Sequence, residues 1–155
     1  MSKKTVRVAA CQLLSSDRVE ENVLKVINFI ELCAEDKIDI IAFPEGCLFG
    51  YCCRSEYWES MLPTTFAKAE SSISDACKKY HINAIVGSAS YQNGNWYNDL
   101  AIFDWNGELR YRYAKTFLAG EKWCVNNREK LPIVRLADVD CCFIICHDVR
   151  YPELV

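Results

Sequence analysis

Long apolar runs, clusters of basic residues and glycine-rich tracts are scarce in this sequence. Six glycines and four prolines in 155 residues, with a formal net charge of only -3, indicate neither disorder nor a fibrous repeat. No apolar run approaches the length of a membrane span. The 18 lysines and arginines are scattered along the chain rather than gathered to bind phosphate. We therefore expect no membrane partner and no nucleic-acid partner.

The N-terminus also lacks an apolar stretch of signal-peptide length, so we expect a cytoplasmic protein. In a reducing compartment, most of the ten cysteines should be small buried hydrophobes rather than disulfide partners. A thiol-rich metal or redox protein is a weaker alternative. No Cys-x-x-Cys pair occurs, and His81 and His147 are not at ligand spacing.

Three enzyme motifs are missing as well: the Gly-x-Ser-x-Gly elbow, the phosphate loop and the dinucleotide fingerprint. The chain does have enough hydrophobic residues, 51%, to build a core. A chain of this length buries roughly 70% of its unfolded surface on folding. Because no linker or repeat divides the sequence, we predict one α/β domain over residues 1–155.

Strand and helix patterns alternate in the first part of the chain. Residues 5–11 predict a strand, and Asp17 with Glu20 predicts a capping box at the start of a helix. The apolar residues of that helix recur at helical spacing, namely Val19, Val23, Ile27, Ile30 and Ala34. Residues 38–43 form an apolar run too short for a helix, which predicts a buried strand parallel to the first.

The remaining patterns predict a mixed sheet. Residues 46–63 have no clear period and predict a loop or a short helix, and a helix follows over about residues 66–81. Strands at 83–91, 96–104 and 109–114 are separated by two Asn-Gly pairs, which predict an antiparallel meander. A loop over 116–127 and two more strands, at 132–136 and 141–146, complete the prediction.

Three chemically useful side chains fall where predicted strands end. Glu45 follows strand 38–43, Lys115 ends the meander, and Cys146 follows the apolar residues 143–145 and precedes a turn and Pro152. Ligands of open α/β sheets bind at such an edge. A thiol that attacks an acyl group needs a base and a group that stabilises an oxyanion. Glu45 and Lys115 are the candidates for those two roles.

Each of these residues also has an ordinary explanation when taken singly. A cysteine in an apolar strand is usually core packing, and a lone Glu or Lys at the end of an element is usually a solvated charge. Only their combination favours chemistry. The other nine cysteines keep the core interpretation, although Cys47, Cys52 and Cys53 follow Glu45 closely enough to be expected beside the same pocket.

Three segments resemble, in order and spacing, the signature of the nitrilase superfamily, the carbon-nitrogen hydrolases. They are Ala-Phe-Pro-Glu-Gly at 42–46, Tyr-Arg-Tyr-Ala-Lys at 111–115 and Cys-His-Asp-Val-Arg-Tyr-Pro-Glu-Leu at 146–154. Residues 9–12 and the helix after them also resemble the start of that family. The resemblance implies the N-terminal portion of an α-β-β-α sandwich, with a mixed β-sheet flanked by helices. It also implies action on amides, nitriles or carbamoyl groups without a metal or organic cofactor, and a homo-oligomer at full length.

The resemblance assigns roles to the strand-end residues. Cys146 would be the nucleophile, Glu45 the general base and Lys115 the stabiliser of the oxyanion, with the backbone N–H of His147 as a second donor. Because His147 and Asp148 follow the nucleophile, where true nitrilases commonly have Trp and Glu, the segment is more similar to the amide and carbamoyl branches. The expected partner is therefore a small-molecule amide or carbamoyl substrate.

Two further residues are expected to support the site. A second glutamate often follows the lysine in this family, and Glu121 is the nearest match, with Glu129 as the competing choice. His147 stands where many members have Tyr. Two interpretations of its imidazole stay open, that it tunes the thiol or contacts the substrate and that it is packed or faces solvent, so we assign it only a supporting role.

Domains of this family continue well beyond the nucleophile. We therefore expect residues 1–155 to be the N-terminal part of one such domain, incomplete at the C-terminus. An amidase-type hydrolase is the favoured function. The alternative is a catalytically inactive truncated fragment or isoform that folds or functions only with a partner.

Overall fold

A five-stranded sheet of order β1-β2-β3-β4-β5 forms the centre of the computed structural model, which describes residues 5–127 and 131–154. Its strands are β1 Val8–Ala10, β2 Ile40–Ala42, β3 Asn83–Gln92, β4 Asn95–Phe103 and β5 Leu109–Ala114. The first three strands pair in parallel and the last three in antiparallel fashion. The predicted mixed sheet and the predicted meander are therefore confirmed, although β1 is shorter than predicted.

Two long helices, α1 Val19–Glu35 and α3 Pro63–Tyr80, pack against each other and cover one face of the sheet. Between them, the short helix α2 Ser55–Ser60 lies in the region predicted as loop or short helix. Helix α3 begins three residues before its predicted start because Pro63 occupies the first turn, where its missing N–H is not needed. It ends at Tyr80, and the C-cap residue His81 adopts a left-handed conformation with a φ of 52°.

The predicted capping box at the start of α1 is wrong. Arg18 is the N-cap and makes no side-chain capping bond. The carboxylate of Asp17 instead pairs with Arg54 at 2.5 Å. The buried amide of Asn22 holds the entry to the helix, since it accepts from Ser16 N at 2.9 Å and donates to Ser16 O at 2.6 Å. The side chain of Asn22 therefore takes the place of the expected side-chain cap.

Both hairpin turns of the meander form at the Asn-Gly pairs. Asn93 and Gly94 have φ angles of 50° and 83°, the positive values that a tight two-residue hairpin turn requires. Gly107 also has a positive φ, 79°. The meander thus follows directly from local sequence.

The C-terminal segment departs from its prediction. Strands β6 Val134–Leu136 and β7 Val139–Cys141 form a separate two-stranded sheet. The predicted strand at 141–146 is wrong, because the ladder ends at Cys141 and a 3₁₀ helix begins at Cys146. The apolar residues in between are used for packing rather than pairing: Ile145 is 2% exposed and belongs to a core on the other face of the five-stranded sheet.

The sheet thus separates two apolar cores. One lies beneath α1 and α3, and the other holds Ile85, Leu100 and Ile102 under β6 and the segment before Cys146. The second face is covered only in part, since Val8 on β1 is 63% exposed. Within the described residues, none of the helices has the length and apolar character needed to cross a bilayer.

A buried ionic cluster lies on the face of the sheet that α3 covers. Arg112 on β5 pairs with Asp99 on β4 at 3.0 Å and with Glu70 on α3. Ser90 donates to the second oxygen of Asp99 at 2.5 Å. Burial raises the pKa of Asp99 to about 6, although Arg112 and Ser90 act to lower it. The cluster contains two carboxyl groups, Asp99 and Glu70, and a single guanidinium, Arg112.

Candidate active site

Glu45 lies in the turn that follows β2, pressed against β3. Gly87 makes this approach possible, because a Cβ there would lie 2.1 Å from Pro44 O and 2.5 Å from Gly46 N. Its carbonyl oxygen accepts from Leu48 N at 3.1 Å, which fastens the turn to the strand. Only glycine allows the two backbones to come this close.

Lys115 follows β5 and extends its ladder by one bond, from Lys115 N to Asn98 O at 2.8 Å. Its side chain is completely buried. The ammonium donates to Glu45 Oε1 at 2.6 Å and to Glu121 Oε1 at 2.5 Å. The structure therefore brings together the predicted lysine, the predicted base and the predicted second glutamate around one nitrogen.

The charge states of this group follow from its contacts. Burial alone would lower the pKa of Lys115, but the hydrogen bonds to Glu121 and Glu45 outweigh it and raise the pKa above its usual value. Burial would likewise raise the pKa of Glu121, but the bond from Lys115, supported by Tyr51, lowers it on balance. Lys115 is thus held as an ammonium and Glu121 as a carboxylate.

Glu121 is fixed from two more sides. Tyr51 donates its hydroxyl to Glu121 Oε1 at 2.9 Å, and Ala119 N donates to Oε2 at 2.5 Å. Tyr51 reaches this position from the turn after Glu45, with a φ of 51°. The competing choice, Glu129, lies outside the described residues.

Asn98 is a site residue that the sequence interpretation missed. Its Nδ2 donates to Glu45 Oε1 at 2.8 Å, the same oxygen that Lys115 contacts. Its own Oδ1 is buried and has no hydrogen-bond partner among the described residues. An Asn-Asp pair inside an otherwise apolar strand was the available signal, because a buried polar side chain needs a partner.

Cys146 is exposed and is the first residue of the 3₁₀ helix Cys146–Arg150. Its φ of 45° is unusual for a residue other than glycine and indicates a strained turn. Partial burial raises the pKa of the Cys146 thiol, and a hydrogen bond to Glu45 together with its charge raises it further. The charge of Lys115 and the backbone N–H of His147 act in the opposite direction.

The backbone and the imidazole ring of His147 have different surroundings. The backbone N–H acts to lower the pKa of the Cys146 thiol, while the imidazole Nε2 lies 3.3 Å from the hydroxyl of Tyr151. Tyr151 in turn stacks on Phe117 at a centroid distance of 3.7 Å. The imidazole is therefore packed into an aromatic group beside the site.

The expectation that most cysteines are buried is wrong. Only three of the ten are buried, namely Cys47, Cys77 and Cys124, although all ten are free thiols. Of the cysteines expected near the pocket, Cys47 lies in the core and donates to Gly87 O at 3.3 Å. Cys53 lies near the site. Burial is the main cause that raises the pKa of its thiol, and the negative charges of Glu121 and Glu45 add to the effect.

A base, a cation and a thiol thus converge from three separate segments. Glu45 and Cys146 also line one cavity of about 300 Å³, whose other walls include Phe43, Leu100 and Phe143. Among the described residues, no group of three His, Cys, Asp or Glu side chains is placed to hold a metal ion. The arrangement is suited to attack by sulfur on a carbonyl carbon.

Comparison with known proteins shows which family the chain matches and which proteins it resembles. The family model described as carbon-nitrogen hydrolase matches residues 7–155. Nitrilase homolog 2 of Dictyostelium discoideum is 27% identical, over 98% of this chain and 50% of the relative. The 2-oxoglutaramate amidase of Bacillus subtilis is also 27% identical, over 92% of this chain and 55% of that enzyme. The chain spans about half the length of the curated relatives it matches.

Solved structures share the fold. An amidase from Nesterenkonia sp. superposes with a TM-score of 0.89 at 19% identity, over 96% of this chain and 58% of that one. A carbon-nitrogen hydrolase from Helicobacter pylori gives a TM-score of 0.85 at 15% identity, over 96% and 54% of the two chains. A mutant of the Nesterenkonia amidase shows Michael addition of acrylamide at its active site cysteine. The described residues therefore have the fold of the N-terminal portion of such enzymes.

Proposed function

Because the chain belongs to the carbon-nitrogen hydrolase family, we propose that it hydrolyses a small amide or carbamoyl substrate through a Glu45–Lys115–Cys146 triad. One observation carries the proposal. The buried ammonium of Lys115 binds Glu45 and Glu121, and the exposed thiol of Cys146 lines the same cavity as Glu45.

Acylation begins with proton transfer from the Cys146 thiol to the Glu45 carboxylate. The thiolate then attacks the carbonyl carbon, and the carbonyl π electrons move to oxygen to give a tetrahedral oxyanion. The transfer is needed because the raised pKa of Cys146 keeps the resting thiol protonated at neutral pH. Glu45 lines the same cavity as Cys146 and acts on the pKa of its thiol, so it is the proposed base.

Lys115 has a donor left for the oxyanion. An ammonium has three N–H groups, and two of them are directed to Glu45 and Glu121. The third N–H and the backbone N–H of His147 are the proposed oxyanion donors. Each such donor in a dry site contributes about 3–4 kcal/mol to the transition state.

Collapse of the intermediate expels the nitrogen. Protonated Glu45 returns its proton to the leaving amine or ammonia, the C–N bond breaks, and a thioester to Cys146 remains. Glu45 then takes a proton from water, whose oxygen attacks the thioester carbonyl. The C–S bond breaks, the sulfur recovers the proton, and the acid product leaves.

The relatives suggest which amides to try first. One curated relative is a 2-oxoglutaramate amidase, so the primary amide of a short dicarboxylic acid is the first substrate to test. Simple aliphatic amides and an N-carbamoyl amino acid represent the other proposed classes.

The test measures ammonia release from these substrates, with mass spectrometry of the intact protein to trap a thioester. Cys146→Ala is expected to abolish both signals. Cys142→Ala is the matched control, since Cys142 is also exposed and lines the same cavity, and it should retain them. Turnover that survives Cys146→Ala would disprove the proposal.

The alternative of a noncatalytic chain that acts with a partner also has an observation in its favour. Val8 and Ala10 on β1 are exposed on the face that carries the second core, and exposed apolar strand faces favour association. Size-exclusion chromatography separates the two cases. An inactive monomer that gains activity only when a second protein is added would favour the alternative.

Three further expectations belong to the same proposal. The proposed reaction needs no metal or organic cofactor, because the nucleophile, base and oxyanion donors are all side-chain or backbone groups of this chain. A cytoplasmic location suits a catalytic thiol that must stay reduced. A homo-oligomer at full length and the absence of a nucleic-acid partner remain predictions, which sedimentation and salt-dependent binding assays check.

A further inference from the structure

The carboxylate of Asp148 accepts three hydrogen bonds from residues outside the triad. It lies two residues after Cys146, and it is fully buried. Its Oδ2 accepts from Ile145 N at 3.0 Å, and its own N–H donates to Ile145 O at 3.0 Å. These two bonds close a ring around Cys146, whose left-handed conformation is unfavourable for a side-chain-bearing residue.

The same carboxylate reaches the segment that carries Lys115. Oδ2 also accepts from the hydroxyl of Tyr113 at 2.8 Å, and Oδ1 accepts from Phe117 N at 2.8 Å. Tyr113 and Phe117 stand two positions before and two positions after Lys115. One side chain therefore holds both flanks of the lysine and the turn of the nucleophile.

We propose that Asp148 is a positioning residue that sets the Cys146 sulfur against the Lys115 ammonium. A buried carboxylate is stable only where donors converge on it. Here those donors are Tyr113, Ile145 and Phe117, so the segments at 113–117 and 145–148 must keep one relative position. This inference rests on the proposed function for its role in turnover, but the geometry can be tested without turnover.

The test uses two variants of different severity. Asp148→Asn keeps the size of the side chain but replaces one acceptor oxygen by an NH₂ group, which cannot accept the bonds that reach it. Tyr113→Phe removes one donor and leaves the ring in the core. Tyr91→Phe is the control, since Tyr91 also lies on the sheet but is 45% exposed and makes no contact with Asp148 in the described structure.

The main readout is the rate of alkylation of Cys146 by iodoacetamide across pH, measured by peptide mass spectrometry. Cys142 is an internal exposed reference, and the buried Cys77 reports unfolding. On balance, burial and Glu45 raise the pKa of Cys146, against the smaller opposite effects of Lys115 and the His147 N–H. Displacement of the turn away from Glu45 should therefore move the alkylation profile to lower pH. We expect labelling at neutral pH to be roughly tenfold faster in both variants, with Cys77 still protected and Tyr91→Phe unchanged.

The outcomes separate positioning from simple stabilisation. If the variants lower the melting temperature while the Cys146 profile and kcat per folded molecule stay as in the wild type, the proposal is wrong. If Asp148→Asn exposes Cys77, Tyr113→Phe decides, since it keeps the Asp148 carboxylate and removes only the hydroxyl that bonds to Asp148 and Thr116. A wild type without amidase activity would refute the proposed function and still leave the alkylation profile to test the positioning.

Discussion

Lys115 and Glu121 meet inside the protein, with Nζ and Oε1 2.5 Å apart and both side chains almost fully buried. Lys115 and Glu121 are close in sequence, but the same ammonium also binds Glu45, which comes from a segment distant in sequence. Buried charges are stable only when their partners are in place. The site therefore depends on the lysine as much for folding as for chemistry.

Lys115→Met tests that dependence. The substitution preserves length but leaves Glu45 and Glu121 as carboxylates without their cation, so we expect the free energy of unfolding to fall by about 3–5 kcal/mol at neutral pH. Urea titration measures the change. Lys122→Met is the matched control, since Lys122 is exposed and should change stability by about 0.5 kcal/mol at most. Equal effects at the two positions would contradict the buried ion pair.

Glu45→Gln should separate thiol reactivity from turnover. Glu45 helps to raise the pKa of Cys146 through its hydrogen bond and its charge, so its neutral replacement should let the thiolate form at lower pH. We expect faster alkylation by iodoacetamide at neutral pH, while ammonia release falls by roughly 10²–10⁴. Glu153→Gln, at an exposed position, should alter neither rate. Slower alkylation in Glu45→Gln would count against the assigned contact.

Asp99 should make the free energy of unfolding fall as the pH rises from about 4 to about 6. Burial raises its pKa to about 6 in the folded protein from the ordinary 3.8 of an aspartate, so the folded state binds the extra proton. The stabilisation is present below about pH 4 and is lost as pH rises to about 6, on the order of 2–3 kcal/mol. Asp99→Asn should lack this fall when urea unfolding is compared from pH 4 to pH 7. Asp140→Asn, in an exposed ion pair, should follow the wild type.

Gly87→Ala should displace Glu45 through backbone contact alone. The added Cβ would overlap Pro44 O and Gly46 N, while the backbone of Gly87 itself is not in a left-handed conformation. We expect at least about 2 kcal/mol of lost stability, together with lost turnover. Gly94→Ala meets no atom within 4 Å but has a φ of 83°, so it should lose about 1 kcal/mol and keep its activity. Intact turnover in Gly87→Ala would refute the close-approach argument.

Local patterns predicted most elements of the sheet correctly. The meander followed from Asn-Gly turns and strand alternation, and the parallel pair β1 and β2 followed from a helical crossover. These features depend on neighbouring residues. The wrong strand at 141–146 shows the limit: the apolar residues before Cys146 fit a strand in composition, but they pack as a single segment against the sheet.

Pairings between distant segments could not be predicted in the same way. Glu45, Lys115 and Cys146 were chosen from strand ends and motif resemblance, whereas the contacts of Asn98, Tyr51 and Asp148 depend on register and loop path. Asn98 and Lys115 bind the same oxygen of Glu45, and the bond from Lys115 N to Asn98 O aligns the two strands that carry them. A polar pair in an apolar strand indicates that a partner exists, but it does not say which one.

The order in which such a protein folds is constrained by the span of these contacts. The bond from Lys115 to Glu45 joins residues 70 positions apart, and that from Tyr113 to Asp148 joins residues 35 apart. Helices and hairpins close short loops quickly, whereas contacts between distant residues form late because more chain entropy is lost first. A refolding chain would therefore recover its helical signal well before its thiol is aligned with its base. Under the proposed function, turnover would report the last docking events rather than collapse.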